Sequence, residues 1–265
     1  MPPSRSGEIY LTDVIALAAR EPGGGRAVTV PAPDGRINIE DRRDLARAEG
    51  LLRSRIIDHW LSAGVTVVDP ATTYVDAEVR IGTDTVLEPG THLRGTTQVG
   101  RECRLGPNTV IRDSAIGDGC TLIGCSIEGA VLGARVAVGP YSTLRPGTRL
   151  DDGVQIGTHA ETKNAHLGAR VHMGHFSYVG DAEVGADSNI GAGAITCNFD
   201  GAQKHRTIIG KGVFIGSDSL LIAPIEIGDG AATGAGAVVN HSVPPGGRVA
   251  GHPARAGRAG GRGSG

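Results

Sequence analysis

A six-residue repeat, in which an aliphatic residue is followed by glycine, runs through most of this chain from about residue 81. The glycines keep a regular phase: Gly82 and Gly100 lie 18 positions apart, and Gly168, Gly174 and Gly180 follow one another at intervals of six. A period of six fits neither the turn of an α-helix, about 3.6 residues, nor the alternation of a half-exposed strand. It is typical of a short strand followed by a corner.

Three such strand-and-corner units would close a triangular coil of 18 residues, which is the wider spacing seen between the glycines. The repeat therefore predicts an all-β fold, a parallel β-helix built as a hexapeptide-repeat solenoid, with aliphatic side chains inside and stacked coils paired as parallel strands. The 43 glycines suit tight corners, and the aromatic content of 3% suits an interior too narrow for rings. A jelly roll or a β-propeller would not produce this short glycine phase.

The two ends of the chain depart from the repeat. Residues 41–63 have apolar positions on one broad helical face, which predicts a helix that Gly64 ends and that caps the open end of the solenoid. The face consists of Leu45, Leu51, Leu52, Ile56, Ile57 and Trp60. We predict a helical capping segment over 1–64, a β-helix domain over 65–250 beginning with a strand near Thr66, and a flexible Gly/Arg tail over 251–265.

The repeat also changes phase inside the predicted solenoid, and one of these breaks is informative. Gly191 and Gly210 are 19 positions apart, and the stretch from Cys197 to Arg206 is polar and lacks the hexad. This break predicts a loop that leaves the coil, and loops on a rigid scaffold often carry function.

Composition and charge narrow the classes of function. The net charge of −2 gives no electrostatic reason to expect a nucleic-acid or membrane partner, and no apolar run approaches the ~20 residues of a membrane span. The N-terminus lacks the apolar segment of a signal peptide, so we expect a cytoplasmic protein. Its four cysteines show no metal-ligand spacing and are expected to be reduced, structural thiols. They are Cys103, Cys120, Cys125 and Cys197.

Six sequence segments carry a resemblance to a known family. They are VTVVDPATTYVD at 65–76, LRPGT at 144–148, ETKNA at 161–165, GHFSYVGDAEVG at 174–185, NIGAGAITCNFDG at 189–201 and FIGSDSLLIAP at 214–224. Through them, residues 65–240 resemble the acetyltransferase domain of the bifunctional N-acetylglucosamine-1-phosphate uridylyltransferase/glucosamine-1-phosphate acetyltransferases. GEIYLTDVI at 7–15 resembles the end of that family's uridylyltransferase domain. The resemblance implies that the β-helix is left-handed.

The resemblance also implies an activity and an assembly. The expected reaction moves an acetyl group from acetyl-CoA to the amine of an amino sugar phosphate similar to glucosamine-1-phosphate, by direct attack within a homotrimer. His175 in GHFSYVGD matches the family's catalytic histidine, and imidazole titrates in the range that a general base near neutral pH requires. Arg145 and Lys163 are expected to bind the phosphate, and Tyr178 and Asn189 the sugar hydroxyls.

Two groups of residues match the family's acetyl-CoA site. Ala192, Ser217 and Ala235 match small residues beside the pantetheine arm and thioester, whereas Asn198, Phe199 and Lys204 lie on the predicted loop. Phe199 stands where the family has tyrosine. His252 stands where relatives have an arginine that contacts the CoA phosphates, and Arg255 is close by.

Other departures limit what the resemblance implies. The family's nucleotide-binding front end has no counterpart in this sequence, and Glu40 stands before Asp41 and Arg42 where the family has asparagine. We therefore expect no uridylyl transfer and no Mg²⁺ or other metal site. Two alternatives stay open: an acyltransferase acting on another amino sugar or nucleotide-sugar in specialised metabolism, and a non-catalytic β-helix scaffold.

Overall fold

The computed structural model describes residues 13–25, 38–252 and 255–256. The chain falls into two compact units that divide between Leu51 and Leu52. Helix α1 (Asp13–Ala18) lies in the first unit, and helix α2 (Arg42–Ser62) runs through the division. Most of the predicted tail, and much of the segment at 7–15, lie outside the described residues. The predicted domain limits at residues 64 and 250 stay predictions.

After the end of α2, the second unit consists of short β-strands, most of them two or three residues long. In chain order they are β1 (Thr66–Val67), β2 (Tyr74–Val75), β3 (Arg80–Ile81), β4 (Val86–Leu87), β5 (His92–Arg94), β6 (Gln98–Val99), β7 (Arg104–Leu105), β8 (Val110–Arg112), β9 (Ala115–Ile116), β10 (Thr121–Leu122), β11 (Ser126–Glu128), β12 (Val131–Leu132), β13 (Ala137–Val138), β14 (Thr143–Leu144), β15 (Arg149–Leu150), β16 (Gln155–Ile156), β17 (Glu161–Leu167), β18 (His172–Met173), β19 (Tyr178–Val184), β20 (Asn189–Ile190), β21 (Ile195–Cys197), β22 (Thr207–Ile209), β23 (Phe214–Ile215), β24 (Leu220–Ile222), β25 (Ile225–Ile227), β26 (Ala232–Thr233), β27 (Val238–Val239), β28 (Arg248–Ala250) and β29 (Arg255–Ala256).

The strands repeat in groups of three and so line three faces of a solenoid. On the first face β1, β4 and β7 pair in parallel, and the series continues to β28. The second face begins with β2, β5 and β8, and the third with β3, β6 and β9. Strands β17 and β19 are seven residues long and turn a corner, so each serves two faces. The predicted parallel β-solenoid is confirmed, with about ten coils; its left-handed sense stays a prediction.

The hexad accounts for this architecture residue by residue. In most of the short strands a buried residue that points inward alternates with a neighbour that points outward. Leu105, Leu122 and Ile127 are among the fully buried side chains of the single core column. The following glycine forms a corner against the next coil: a Cβ on Gly82 would lie 2.6 Å from the backbone nitrogen of Arg101. Glycine is needed there because the neighbouring backbone leaves no room for a side chain.

The predicted helix over 41–63 is confirmed as α2, and Gly64 follows its end with φ 88°. The predicted apolar face is wrong in extent. Only Ile57 and Trp60 are buried in the core, with Ile56 partly buried beside them. The other three predicted members, Leu45, Leu51 and Leu52, are exposed. The narrow end of a three-stranded coil accepts only a few side chains, so the last turns of the helix are enough to cover it.

The four cysteines are free thiols, as predicted, and three of them are buried. The thiols of Cys103 and Cys120 each donate to a glycine carbonyl at 3.2 Å, which gives them a structural role at successive corners. Burial raises the pKa of the Cys125 thiol to about 12. Within the described ranges, no helix is both long and apolar enough to cross a membrane.

Candidate active site

One corner of the solenoid holds His175 and three of the predicted cofactor residues in a single column. His175 follows β18, and Ala192, Ser217 and Ala235 occupy the equivalent place in the next three coils. The backbone carbonyls of His175, Ala192 and Ser217 each accept a hydrogen bond from the next coil, at 2.8, 2.7 and 2.8 Å. The side chains of Ala192, Ser217 and Ala235 are small and at least partly exposed along this corner.

The His175 side chain is exposed, and its surroundings fix the corner around it. The backbone N–H of Thr158, one coil earlier, donates to Nδ1 at 3.2 Å. The Ser177 hydroxyl lies 3.2 Å from the His175 carbonyl and 2.9 Å from that of Gly191. A Cβ on Gly157 would lie 2.7 Å from Nδ1, so the absence of a side chain at Gly157 gives the imidazole its place.

A cluster of cations lies on the face that follows this corner, where β17 and β19 run side by side. Glu161 on β17 lies opposite Tyr178 on β19, and the Arg145 guanidinium donates to Glu161 at 2.9 Å. The hydrogen bond with Glu161 raises the pKa of Arg145. Contact with the Lys204 side chain, followed by the charges of Lys204 and Arg145, lowers the pKa of Lys163. We call Arg145, Lys163 and Lys204 the cation cluster.

Tyr178 lies among these charges. It is half-buried, and its hydroxyl lies over Gly180, where a Cβ would overlap the phenol oxygen. The side chains of Arg145, Lys163 and Tyr178 are thus brought together. Lys204 joins them, although the sequence resemblance grouped it with the cofactor residues.

The predicted loop is observed between β21 and β22. Phe199 and Lys204 form an isolated antiparallel bridge, and the Phe199 side chain is 59% exposed. Asn198, at the start of the loop, is buried, and its amide donates to Asp181 at 2.5 Å. Within the loop the Asp200 carboxylate accepts hydrogen bonds from backbone N–H groups and from the His205 ring. These hydrogen bonds hold the pKa of Asp200 well below its usual range. The loop is therefore an ordered hairpin that lies against β19.

Three predicted residues stand apart from the cation cluster within this chain. Asn189 is half-buried on the first face, in register between His172 and Phe214. His252 and Arg255 are exposed near the end of the described chain, where Arg255 pairs with Ala250. Among the described residues, no hydrogen bond or ion pair joins these three to Lys163 or His175.

The sequence reasoning missed two residues that organise the site, Asp181 and Asn164. Both lie in segments that carry the resemblance, and both adopt positive φ, at 48° and 45°. An aspartate or asparagine at a solenoid corner is a usable signal, because these residues tolerate the left-handed conformation and bond to neighbouring backbone or side chains. Among the described residues, no three His, Cys, Asp or Glu side chains converge as a metal site would require.

The solenoid that carries these residues is similar in sequence to known protein families. Residues 102–190 match the family model "GlmU-like, C-terminal hexapeptide", and residues 206–241 match "Bacterial transferase hexapeptide (six repeats)". The chain is 50% identical over 251 residues to the bifunctional protein GlmU of Rubrobacter xylanophilus, covering 94% of this chain and 53% of that protein. It is 46% identical over 241 residues to GlmU of Pseudarthrobacter chlorophenolicus, covering 91% and 49%.

The chain thus spans about half the length of the curated relatives it matches. The solved structure of Francisella novicida UDP-N-acetylglucosamine acyltransferase is similar to this chain with a TM-score of 0.47 and 14% sequence identity. The match covers 72% of this chain and 68% of that one. This similarity is too low to support an argument about function. The two family models and the two GlmU relatives together identify the solenoid of this chain as a hexapeptide-repeat domain of the type that forms the C-terminal half of GlmU proteins.

Proposed function

We propose that this chain is an N-acetyltransferase that moves an acetyl group from acetyl-CoA to the amine of an amino sugar phosphate similar to glucosamine-1-phosphate. The observation that carries the proposal is the cation cluster on the face of the solenoid that follows the His175 corner. Three cations meet there beside Tyr178, with Glu161 and Asp181 as the neighbouring carboxylates. Such an excess of fixed positive charge suits a phosphate better than a neutral sugar.

The proposed reaction needs a base and a place for each substrate. The amine nitrogen attacks the thioester carbonyl carbon, so a C–N bond forms, the C–S bond breaks, and CoA leaves as the thiol. His175 accepts the proton that the amine loses and can pass it to the departing sulfur. The neutral ring holds its proton on Nε2 while Thr158 donates to Nδ1. His175 can therefore act as a base in two ways. The substrate amine can take the place of the Thr158 N–H at Nδ1, or the ring can rotate by half a turn and present Nδ1 to the amine.

The column of Ala192, Ser217 and Ala235 supports a route for acetyl-CoA along the corner, because small side chains let an extended chain approach the backbone. His175 lies at one end of this column, which would bring the thioester to the base. Holding both substrates in this way lowers the entropic cost of their reaction, and no acyl-enzyme is needed.

The proposed acceptor is tested by thiol release from acetyl-CoA in the presence of glucosamine-1-phosphate, glucosamine-6-phosphate and UDP-glucosamine. N-acetylglucosamine-1-phosphate, which lacks a free amine, is the control. We expect rapid release with an amino sugar phosphate and none with the control. Faster release with UDP-glucosamine would favour a nucleotide-sugar acceptor, and no release with any of the three would leave the scaffold alternative.

We propose further that the active unit is a homotrimer. The ordered hairpin carrying Phe199 and Lys204, and the position of Asn189 away from the cation cluster of its own chain, support a site completed by a neighbouring copy. A closed ring of three would place the hairpin of each chain against the corner column of the next.

A further inference from the structure

Two carboxylates on β19 hold the two ends of the β21–β22 loop. At the start of the loop, Nδ2 of Asn198 donates to Oδ2 of Asp181 at 2.5 Å. At its end, Arg206 forms an ion pair with Glu183. Asp181 and Glu183 flank the buried Ala182, and both are partly exposed. The loop that carries Lys204 is therefore fastened at both ends to the strand that carries Tyr178.

Asp181 also reaches back to the preceding coil. Its second oxygen, Oδ1, accepts from Nδ2 of Asn164 at 2.6 Å. One carboxylate thus joins three successive coils, with an asparagine amide on each of its oxygens. A carboxylate accepts such amide protons more strongly than a neutral group does, because the charge shortens and strengthens the hydrogen bonds.

The solenoid does not need this carboxylate for its own pairing. Beyond the loop, β22 pairs with the second half of β19 and with β25 through backbone register. The hairpin keeps its own internal bonds, in which Asp200 accepts from the backbone of Ala202 and Gln203, each at 2.8 Å. Asp181 therefore holds an already formed hairpin in position against the coil.

The placement matters because Asp181 lies among the lysines of the cation cluster. Asp181, Asn164, Lys204, His205 and Arg206 line one cavity of about 200 Å³. The charge of Asp181 acts on Lys163 in the direction opposite to that of Lys204 and Arg145. It therefore offsets part of the repulsion that would otherwise push the two lysines apart.

We propose that Asp181 is a positioning residue that fastens the Lys204 hairpin to the coil and so keeps Lys163 and Lys204 together for an anionic acceptor. The expected kinetic effect rests on the proposed function, whereas the position of the hairpin does not depend on it. Asp181 has no role in the chemical step and is not expected to touch the acceptor. Loss of its charge should release the start of the hairpin while the solenoid stays folded.

The first test is hydrogen exchange of the segment 198–206 in the full chain, which requires no knowledge of the substrate. Asp181→Asn places an amide against the two asparagine amides, and the segment should then exchange about tenfold faster or more. Asp187→Asn is the matched control, because Asp187 also has positive φ, at 61°, and pairs with Arg170 instead. Exchange of the segment at the wild-type rate in Asp181→Asn would overturn the proposal.

The second test is kinetic and separates positioning from folding. In Asp181→Asn we expect the KM for the amino sugar phosphate to rise about tenfold, with kcat changed less than about threefold. The KM for glucosamine, which lacks the phosphate, should not change. An equal loss of kcat with both acceptors would show a general structural role and overturn the positioning role. If neither acceptor is acetylated even by the wild type, the proposed function fails, whereas the exchange comparison still decides the placement of the hairpin.

A second variant protects the test against misfolding. Asn198→Ala removes the hairpin's own bond to Asp181 and leaves the carboxylate in place. It should speed exchange of the segment as Asp181→Asn does, and the double variant should add little, because both substitutions break one contact. If Asp181→Asn does not fold, Asn198→Ala alone decides: wild-type exchange in that variant would overturn the proposal.

Discussion

The backbone N–H of Thr158 donates a hydrogen bond to Nδ1 of His175 at 3.2 Å. The donor belongs to the preceding coil, so the orientation of the imidazole is set by the stacking of two coils. In the absence of substrate, the neutral ring carries its proton on Nε2, and its Nδ1 lone pair accepts the hydrogen bond from Thr158. An amine that takes the place of the Thr158 N–H can use that lone pair. The corner geometry and the proposed chemistry are therefore coupled through one side chain.

Gly157→Ala tests that coupling. The new Cβ would lie 2.7 Å from Nδ1 of His175, so the imidazole would have to move. Because a displacement of about 1 Å can lower a rate about 10²-fold, we expect kcat to fall by about that factor while the melting temperature changes little. Gly50→Ala, where a Cβ meets nothing within 4 Å, is the control. An unchanged kcat in Gly157→Ala would mean that the ring position is not critical.

Much of this arrangement could be predicted from the sequence, and the misses have a physical reason. The glycine phase predicted the solenoid, and its break between Gly191 and Gly210 predicted the hairpin before β22. The bonds of Asp181 to Asn164 and Asn198 could not be predicted, because both partners lie 17 residues away and the coils vary in length. Thr121 pairs with Arg104 and with Ala137, at separations of 17 and 16, so a fixed period of 18 cannot assign stacked neighbours.

The extent of the helical cap illustrates a second limit. The apolar pattern of α2 predicted a broad buried face, but Leu45 and Leu52 are exposed. Periodicity identifies the side of a helix that can be buried, whereas the size of the surface beneath it decides how much is buried. The end of a narrow solenoid is small, and the sequence pattern holds no information about that area.

Lys163→Met tests the role of the cation cluster in phosphate binding. Removing the charge should raise the KM for the amino sugar phosphate about tenfold or more and weaken its dependence on salt, because one fixed cation is lost. Initial-rate kinetics at two ionic strengths measure both effects. Lys211→Met, an exposed lysine that lies outside the cation cluster, is the matched control and should behave as the wild type. If the KM of Lys163→Met equals the wild-type value, Lys163 does not bind the phosphate of the acceptor.

His166 provides a pH-dependent contribution to stability. Its ring lies between Asp151 and Glu183, 3.0 Å from each, and the hydrogen bond with Asp151 is the main cause that raises its pKa above 6.5. Because the folded-state pKa is the higher one, the contribution is complete below the unfolded-state pKa and is lost as pH rises through the folded-state pKa.

His166→Gln should therefore lower the melting temperature most at acidic pH, and the gap from the wild type should shrink as pH rises from about 6 to about 9. Thermal unfolding across that range measures the gap. His241→Gln replaces an exposed histidine whose ring, within the described part of the chain, hydrogen-bonds only to the neighbouring Asn240. This control should leave the pH profile unchanged. A gap for His166→Gln that is constant with pH would contradict the assignment.

The proposed trimer is tested by light scattering and by complementation. The expected mass is three times the 27.1 kDa of the chain. Chains with His175→Ala, mixed and reassembled with chains that lack residues 198–206, should regain some activity, because a mixed ring can contain one intact site. A fully active monomer would contradict both the trimer and the shared site.

The central claim, that His175 accepts a proton while an acetyl group moves to a sugar amine, is tested most directly by identifying the product. Wild-type and His175→Ala chains are incubated with acetyl-CoA and glucosamine-1-phosphate at saturation, and the sugar is analysed by mass spectrometry. We predict that the wild type forms the N-acetylated sugar phosphate and that the variant, with an unchanged melting temperature, forms it about 10²–10⁴-fold more slowly. Equal rates of product formation by the two folded chains would contradict the account.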